Sequence, residues 1–389
     1  MRTICKAPFR GLGVVLGLGV LSLLAACGGK QSASHSAESG DTLTLHHAAY
    51  LRMIDMPEGY TLAELINPWD TTQLLHTYLL IAADDSLPTH LPAGTVVRTP
   101  LQKSLVYSAV HTSLLRDLDA LQGIGGVCDA KYFLLPEIQE AMQAGKVVDC
   151  GDTMNPDIER IITLQPDAIL LSPFENSGGY GRIEKLNIPL IECADYMESS
   201  PLGRAEWMRF FGRLFGKAQK ADSLFKAVEQ RYTHLKAAVQ DSTRHIPPMS
   251  VMSDLITGST WYTPGGRSTI ARLYADAGAH YIFAEDRHTG SLPYSFERIY
   301  ERGRNADVWL IRYNQPTTKT YKELESEFAG YKGFKAFGER NIYACNTGIV
   351  PFYEEVPFHP DRLLEDLIRI FRPDVPTEKT QRYYERLTD

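Results

Sequence analysis

The sequence predicts an α/β fold: two lobes of alternating strands and helices, joined by a single long helix, behind a β-rich N-terminal extension. Three observations carry this. From Thr95 onward short apolar runs alternate with helical stretches, the texture of parallel-sheet strand–helix–strand units. Residues 217–240 contain no Pro or Gly and are rich in good helix formers, enough for a strut about 35 Å long. On either side of that strut a short Glu-Arg-Ile helix leads to an Asp and then to an apolar strand.

The order of elements begins with an address. Residues 1–10 carry Arg2, Lys6 and Arg10 and no acid, and residues 11–23 are apolar. That run suits a signal peptide and is too short to span a bilayer. Leu24-Ala25-Ala26-Cys27 follows. It resembles the bacterial lipobox, which implies removal of residues 1–26 and lipidation of Cys27. Residues 28–40 are small and polar and read, with Cys27, as a tether. The chain is then expected outside the cytoplasm, in the periplasm, held to a bacterial membrane by its lipid.

The extension covers residues 41–94, with strands expected at His46–Met53 and Gln73–Ala82 around Asn67-Pro68-Trp69. The first lobe covers 95–201. Its strands are expected at Thr95–Thr99, Ser104–Tyr107, Ile124–Cys128, Ala168–Ser172 and Pro189–Glu192, and its helices at Ser113–Leu121, Leu135–Ala144, Asp157–Leu164 and Gly181–Leu186. Linking helices occupy 202–246. The second lobe covers 247–389, with strands at Ser250–Leu255, Val308–Tyr313 and Asn341–Cys345 and a terminal helix at Asp361–Phe371.

Charge and cysteines narrow the function. The chain of 389 residues has a formal charge of −7, which becomes −10 once the three cations of residues 1–26 leave. An acidic chain without a basic block offers nucleic acid no footprint. Cys128, Cys150, Cys193 and Cys345 remain after processing, with no Cys-x-x-Cys pair to suggest structural zinc. A bridge such as Cys128–Cys150 and four buried thiols are both compatible with them. No bare-metal constellation of His and carboxylates is evident, and there is no Gly-x-Ser-x-Gly elbow, His-Glu-x-x-His or phosphate loop.

The repeated unit carries a resemblance. Asp157-Ile158-Glu159-Arg160-Ile161 leading to Pro166-Asp167-Ala168-Ile169, and Ser295-Phe296-Glu297-Arg298-Ile299 leading to Ala306-Asp307-Val308-Trp309, are similar to paired stretches of the substrate-binding lipoproteins of iron-complex and cobalamin ABC importers. Gly258-Ser259-Thr260-Trp261-Tyr262-Thr263-Pro264-Gly265-Gly266 resembles the ligand loop of their second lobe. The likeness spans about residues 95–372, and the extension resembles that of Bacteroidetes-type members. It implies a class III periplasmic-binding-protein clamshell: two Rossmann-like lobes, one hinge helix, a monomer. It also implies an ABC permease dimer with its ATPase as partner, docked through one carboxylate per lobe, Glu159 and Glu297. The bland reading of both acids is a favourable charge in a helix first turn.

A cleft is expected at the carboxyl ends of the parallel strands. The loops there offer Tyr107, Tyr132, Phe174, Trp261, Tyr262, Arg312, Tyr313 and Tyr353. Aromatic walls suit a large metal chelate, and an arginine can hold its anionic groups. The cargo expected is thus a metal chelate, either an iron chelate such as a ferric siderophore, or haem, or cobalamin, with no intrinsic cofactor. Haem would want an axial Tyr or His, for which His111, His288, Tyr107, Tyr262 and Tyr353 are available; an anionic siderophore would use Arg267, Arg312 or Lys131. The competing class is a chelatase-like exported enzyme acting on a porphyrin or corrinoid.

Overall fold

A computed structural model describes residues 40–175, 179–242, 246–377 and 381–389. The signal segment and Cys27 lie outside the described residues, as does all of the tether but Gly40. Among the described residues no helix is long and apolar enough to cross a membrane.

The extension forms a sheet of its own. Strands β1 (Asp41–Leu43), β2 (Leu51–Asp55), β3 (Thr61–Ile66), β4 (Leu74–Ala82) and β5 (Thr95–Thr99) lie in that order. The first four pair antiparallel, while β5 runs parallel to β4, with Leu80 opposite Val97. This corrects the expected place of Thr95–Thr99, which joins the extension's sheet rather than the first lobe's. A strand's β-propensity shows in its own residues; its partner does not.

The first-lobe sheet has the order β12-β11-β6-β7-β8 and is wholly parallel. Its strands are β6 (Ser104–Val106), β7 (Ile124–Val127), β8 (Val148–Asp149), β11 (Ile169–Leu171) and β12 (Leu190–Glu192), with a hairpin of β9 (Gly151–Asp152) and β10 (Asn155–Pro156) beside them. Helices α1 (Ala109–Asp117), α2 (Pro136–Gln143) and α3 (Ile158–Leu164) cover it. Strands β6, β7 and β11 are buried throughout, which is why they read as unbroken apolar runs. Gly126 in β7 lets α3 pack closely: a Cβ there would sit 2.7 Å from the Leu164 side chain, which would have to shift.

The linking segment folds as α4 (Pro201–Glu206), α5 (Met208–Leu214) and α6 (Ala218–Ser242). The 25-residue α6 buries Ala221, Phe225, Val228, Tyr232, Leu235 and Val239, a stripe at helical spacing. In the second lobe the main sheet runs β16-β13-β18-β19-β20, parallel except for β20. These are β13 (Ser250–Ser253), β16 (His280–Tyr281), β18 (Val308–Tyr313), β19 (Ile342–Asn346) and β20 (Glu385–Arg386). A smaller antiparallel sheet joins β14 (Ile256–Thr257), β15 (Thr260–Pro264) and β17 (Ser291–Tyr294). Helices α7 (Thr269–Asp276), α8 (Phe296–Gly303), α9 (Tyr321–Glu327), α10 (Lys335–Gly338), α11 (Phe352–Glu355) and α12 (Pro360–Phe371) complete the lobe.

The sequence echo has a structural meaning. Asp157 caps α3 by accepting the Arg160 N–H, and Ser295 caps α8 by accepting that of Arg298. The following Asp pins the neighbouring parallel strand. Asp167 Oδ2 accepts the Lys103 N–H at 3.0 Å, just ahead of β6, and Asp307 Oδ2 accepts the Ser250 N–H at 2.8 Å, at the start of β13. Both lobes thus use the same device to set strand register.

Candidate functional site

Both parallel sheets end in cavities. In the first lobe a cavity of about 520 Å³ lies beyond β6 and β11, walled by Tyr107, Met154, Ile158, Phe174, Tyr180 and Arg182. In the second, one of about 610 Å³ lies beyond β13, β18 and β19, reached by Asp254, Tyr262, Ile270, Arg312, Tyr313 and Tyr353. A third, of about 170 Å³, is lined by residues of both lobes. Val110 of α1 and Arg204 of α4 face Leu273, Phe352 and Tyr353 of the second lobe there, and Ile270, Arg312 and Tyr353 line it as well as the second-lobe cavity. The small cavity is thus lined by both lobes and adjoins the second-lobe cavity.

Arg312 is the best-fixed charge in this cleft. Its Nε and Nη2 donate to Asp254 Oδ1 at 2.9 and 2.7 Å. Burial alone would lower the guanidinium's pKa; the Asp254 carboxylate more than offsets this and holds it well above the ordinary arginine value. Asp254 follows β13 directly and adopts a left-handed backbone, φ 68°. That turn aims its carboxylate at β18, while its carbonyl accepts the indole N–H of Trp309 at 2.9 Å. No hydrogen bond of the described residues uses Nη1 of Arg312, which leaves donors for an anionic group.

Six of the eight aromatic and arginine candidates line these cavities: Tyr107 and Phe174 in the first lobe, Tyr262, Arg312, Tyr313 and Tyr353 in the second. Phe174, Tyr262 and Tyr353 are each about half exposed, large apolar surface left open. Tyr107 is different: its hydroxyl is buried without a partner, and burial, then Cys128 and Cys150, push its pKa up. Tyr313 accepts the Lys319 backbone N–H at 2.9 Å on its hydroxyl, so its edge is occupied. Tyr132 is exposed beneath the Lys131 ammonium and lines none of the cavities.

Trp261 must be corrected. It is fully buried, its indole N–H donates to the Ser253 carbonyl at 2.9 Å, and Trp309 stacks on it at 5.7 Å. It belongs to the second-lobe core. In β15 successive side chains point to opposite faces, so Tyr262 faces the cavity and Trp261 cannot.

Neither candidate histidine lines these cavities. His111 lies in the first turn of α1, buried, with Nε2 3.1 Å from Asp195 and its ring against Phe211 and Phe358. His288 sits in an exposed turn, bonded to Asp286. Among the described residues no group of three or more His, Cys, Asp or Glu could hold a metal ion. The four cysteines Cys128, Cys150, Cys193 and Cys345 are free and buried. Burial, then neighbouring acids, pushes the Cys150 thiol to about 11, and burial pushes Cys345 to about 12.

Glu159 and Glu297 occupy the same position in their helices, second residue after the cap, and both are exposed and make no ion pair among the described residues. Hydrogen bonds from its own backbone N–H and from Ser295 lower the pKa of Glu297. Four of the wall residues named above were absent from the expected set: Met154, Ile158, Tyr180 and Arg182. Met154 caps a two-strand hairpin too short to register as periodicity, and Tyr180 and Arg182 sit in a glycine-rich turn.

The periplasmic binding protein family matches residues 111–347, more than half of the chain. The chain belongs to this family. Its fold is the class III, TroA-like one. Over 70% of this chain and 93% of theirs, the coordinates match an ABC-type Fe3+-hydroxamate transport system from Saccharomonospora viridis, with TM-score 0.54 and 18% identity. A periplasmic heme binding protein from Pseudomonas aeruginosa matches over 74% and 99%, with TM-score 0.57 and 15% identity. In sequence, an uncharacterized lipoprotein of Methanocaldococcus jannaschii is 24% identical over 87% of this chain and 84% of its own length. A second from the same organism is 22% identical over 89% and 88%. The Bacteroidetes-type placement finds no support among the two sequence relatives, which are archaeal.

Proposed function

We propose that this periplasmic binding protein is the lipid-anchored solute receptor of an ABC importer, and that it captures a metal chelate in the interlobe cleft. Cys27 would carry the lipid, outside the cytoplasm. The chain works as a monomer, has no catalytic residues and no cofactor of its own, and carries the chelate as cargo. One observation carries this reading: aromatic-walled cavities lie at the carboxyl ends of both parallel sheets, and the second-lobe cavity shares a fixed arginine with a smaller cavity lined by both lobes. Such a space suits a ligand with broad apolar faces and anionic edges, the chemistry of a ferric siderophore, haem or cobalamin. Proteins of this fold described as binding heme or transporting Fe3+-hydroxamate support the ligand class.

Delivery follows from the two matched acids. Glu159 and Glu297 present one unpaired carboxylate per lobe, as a permease dimer with basic pockets would read. The E159A/E297A double variant tests this in cells dependent on the chelate. It is expected to bind the chelate as the parent does and to lose uptake. Retained uptake would defeat the docking assignment. Chemical turnover of a tetrapyrrole by the purified protein would instead favour the chelatase-like reading.

A further inference from the structure

The extension's sheet precedes the family match, which begins at His111, yet it reaches the candidate cleft. Side chains of β4 reach β12, the edge strand of the first-lobe sheet. The Tyr78 hydroxyl donates to the Leu190 carbonyl at 2.9 Å and accepts the Glu192 N–H at 2.8 Å. His76 stacks on Tyr78, with ring centroids 4.4 Å apart and planes 14° apart. Its Nε2 meets Thr95 Oγ1 of β5 at 2.8 Å, and its Nδ1 meets Glu192 Oε2 at 3.0 Å. The other carboxylate oxygen of Glu192, Oε1, accepts the Tyr180 O–H at 2.6 Å. Tyr180 is a wall of the first-lobe cavity.

We propose that the N-terminal sheet sets the position of Tyr180 in the cavity wall through the chain Thr95–His76–Glu192–Tyr180. Glu192 is the joint. It is buried at the end of β12, so its two oxygens are held at fixed points, one toward the extension and one toward the cavity. His76 is a positioning residue: it touches no cavity, and it orients the carboxylate that orients the tyrosine. The arrangement also fixes what Tyr180 can offer. Its single proton is committed to Glu192, so toward a ligand the residue presents its ring. Burial, reinforced by the Glu192 carboxylate, raises its pKa and disfavours the phenolate that an axial iron ligand would need. Tyr180 is therefore a stacking wall, held at a chosen angle by a sheet outside the family match. This rests on reading the cavity as the chelate's, and the test separates the two.

The experiment uses the full chain and four variants, H76F, E192L, E192Q and Y180F. H76F keeps the ring on Tyr78 and removes both nitrogens; E192Q keeps an acceptor for Tyr180 and a polar partner for His76; E192L keeps the volume alone. Hydrogen exchange of residues 179–186 reads the relay without ligand. Exchange is expected to quicken about tenfold in E192L and H76F and to stay near the parent's in E192Q. Titration with haemin, cyanocobalamin and a ferric hydroxamate then reads its consequence. For whichever probe the parent binds, H76F, E192L and Y180F should each weaken binding about three- to tenfold, E192Q should not, and H76F added to Y180F should cost nothing more. Unchanged exchange at 179–186 in H76F and E192L, or additive losses in the H76F/Y180F pair, would overturn the relay. Quickened exchange with no probe bound by the parent would uphold the relay and fail the chelate reading.

Discussion

Glu206 offers the sharpest test of how the extension is held. It is fully buried in α4, and its carboxylate gathers three consecutive backbone N–H groups of the extension: His46 at 3.1 Å, His47 at 2.8 Å and Ala48 at 2.9 Å. Arg209 approaches the same group at 3.4 Å. A hydrogen bond to a charged group contributes about 1.5–3 kcal/mol, but three donors sharing one carboxylate do not sum. Removing one partner of a buried ionic cluster costs about 3–5 kcal/mol. Glu206→Ala should therefore cost about 3–5 kcal/mol, and Glu206→Gln about half that, since the amide keeps one acceptor and turns a donor toward the loop. Urea denaturation followed by far-UV circular dichroism measures the loss, and hydrogen exchange at residues 46–48 should quicken in the same variants. A cost under about 1 kcal/mol for Glu206→Ala would refute the reasoning.

Three further outcomes follow from the same structure. Trp261→Ala should lower stability by about 3–5 kcal/mol as a core truncation, whereas Tyr262→Ala should leave stability alone and cost about 1 kcal/mol of chelate affinity. Equal effects of both on affinity would return Trp261 to the site. Cys128, Cys150, Cys193 and Cys345 should resist thiol alkylation at pH 8 in the folded protein and all label after denaturation without reductant, because burial raises each thiol; a cysteine that labels only after reduction would reveal a bridge. Asp195 is buried, which alone would raise its pKa, but Arg204 and His111 hold it below the ordinary carboxylate value. A depressed acid stabilises fully above its unfolded pKa and loses that contribution as pH falls through the folded one. The stability gap between parent and Asp195→Asn should thus be constant from pH 7 to about 5 and shrink below about 4; a gap unchanged at pH 3 would contradict the pairing.

Where sequence and structure agree, the cause is local. The helix caps at Asp157 and Ser295, the paired Asp167 and Asp307, and the Pro- and Gly-free strut act within a few residues of themselves or on an adjacent strand, so their signature is compact. Strands Val308–Tyr313 and Ile169–Leu171 were legible because burial on both faces leaves an unbroken apolar run. The failures are non-local. Thr95–Thr99 looks like any strand, and only the folded chain pairs it with β4. Helix α1 begins at Ala109, four residues earlier than expected, which carries His111 out of a loop and into a buried turn. Trp261 and Tyr262 read together as cleft aromatics only while the segment is taken for a loop; as a strand, alternation separates them. That Tyr180 sits in a loop beyond the Leu171 strand was legible, but its tie to Glu192, and through Glu192 to the distant His76, was not.

The central claim is that this binding protein holds a metal chelate between its lobes. Equilibrium titration of its tryptophan fluorescence with haemin, cyanocobalamin and ferric hydroxamates, against free Fe(III), tests it most directly. The account predicts saturable one-to-one binding of a chelate, weakened by substitution of Arg312 and Tyr353, with no binding of the free ion. Saturable binding of free Fe(III) alone would contradict it.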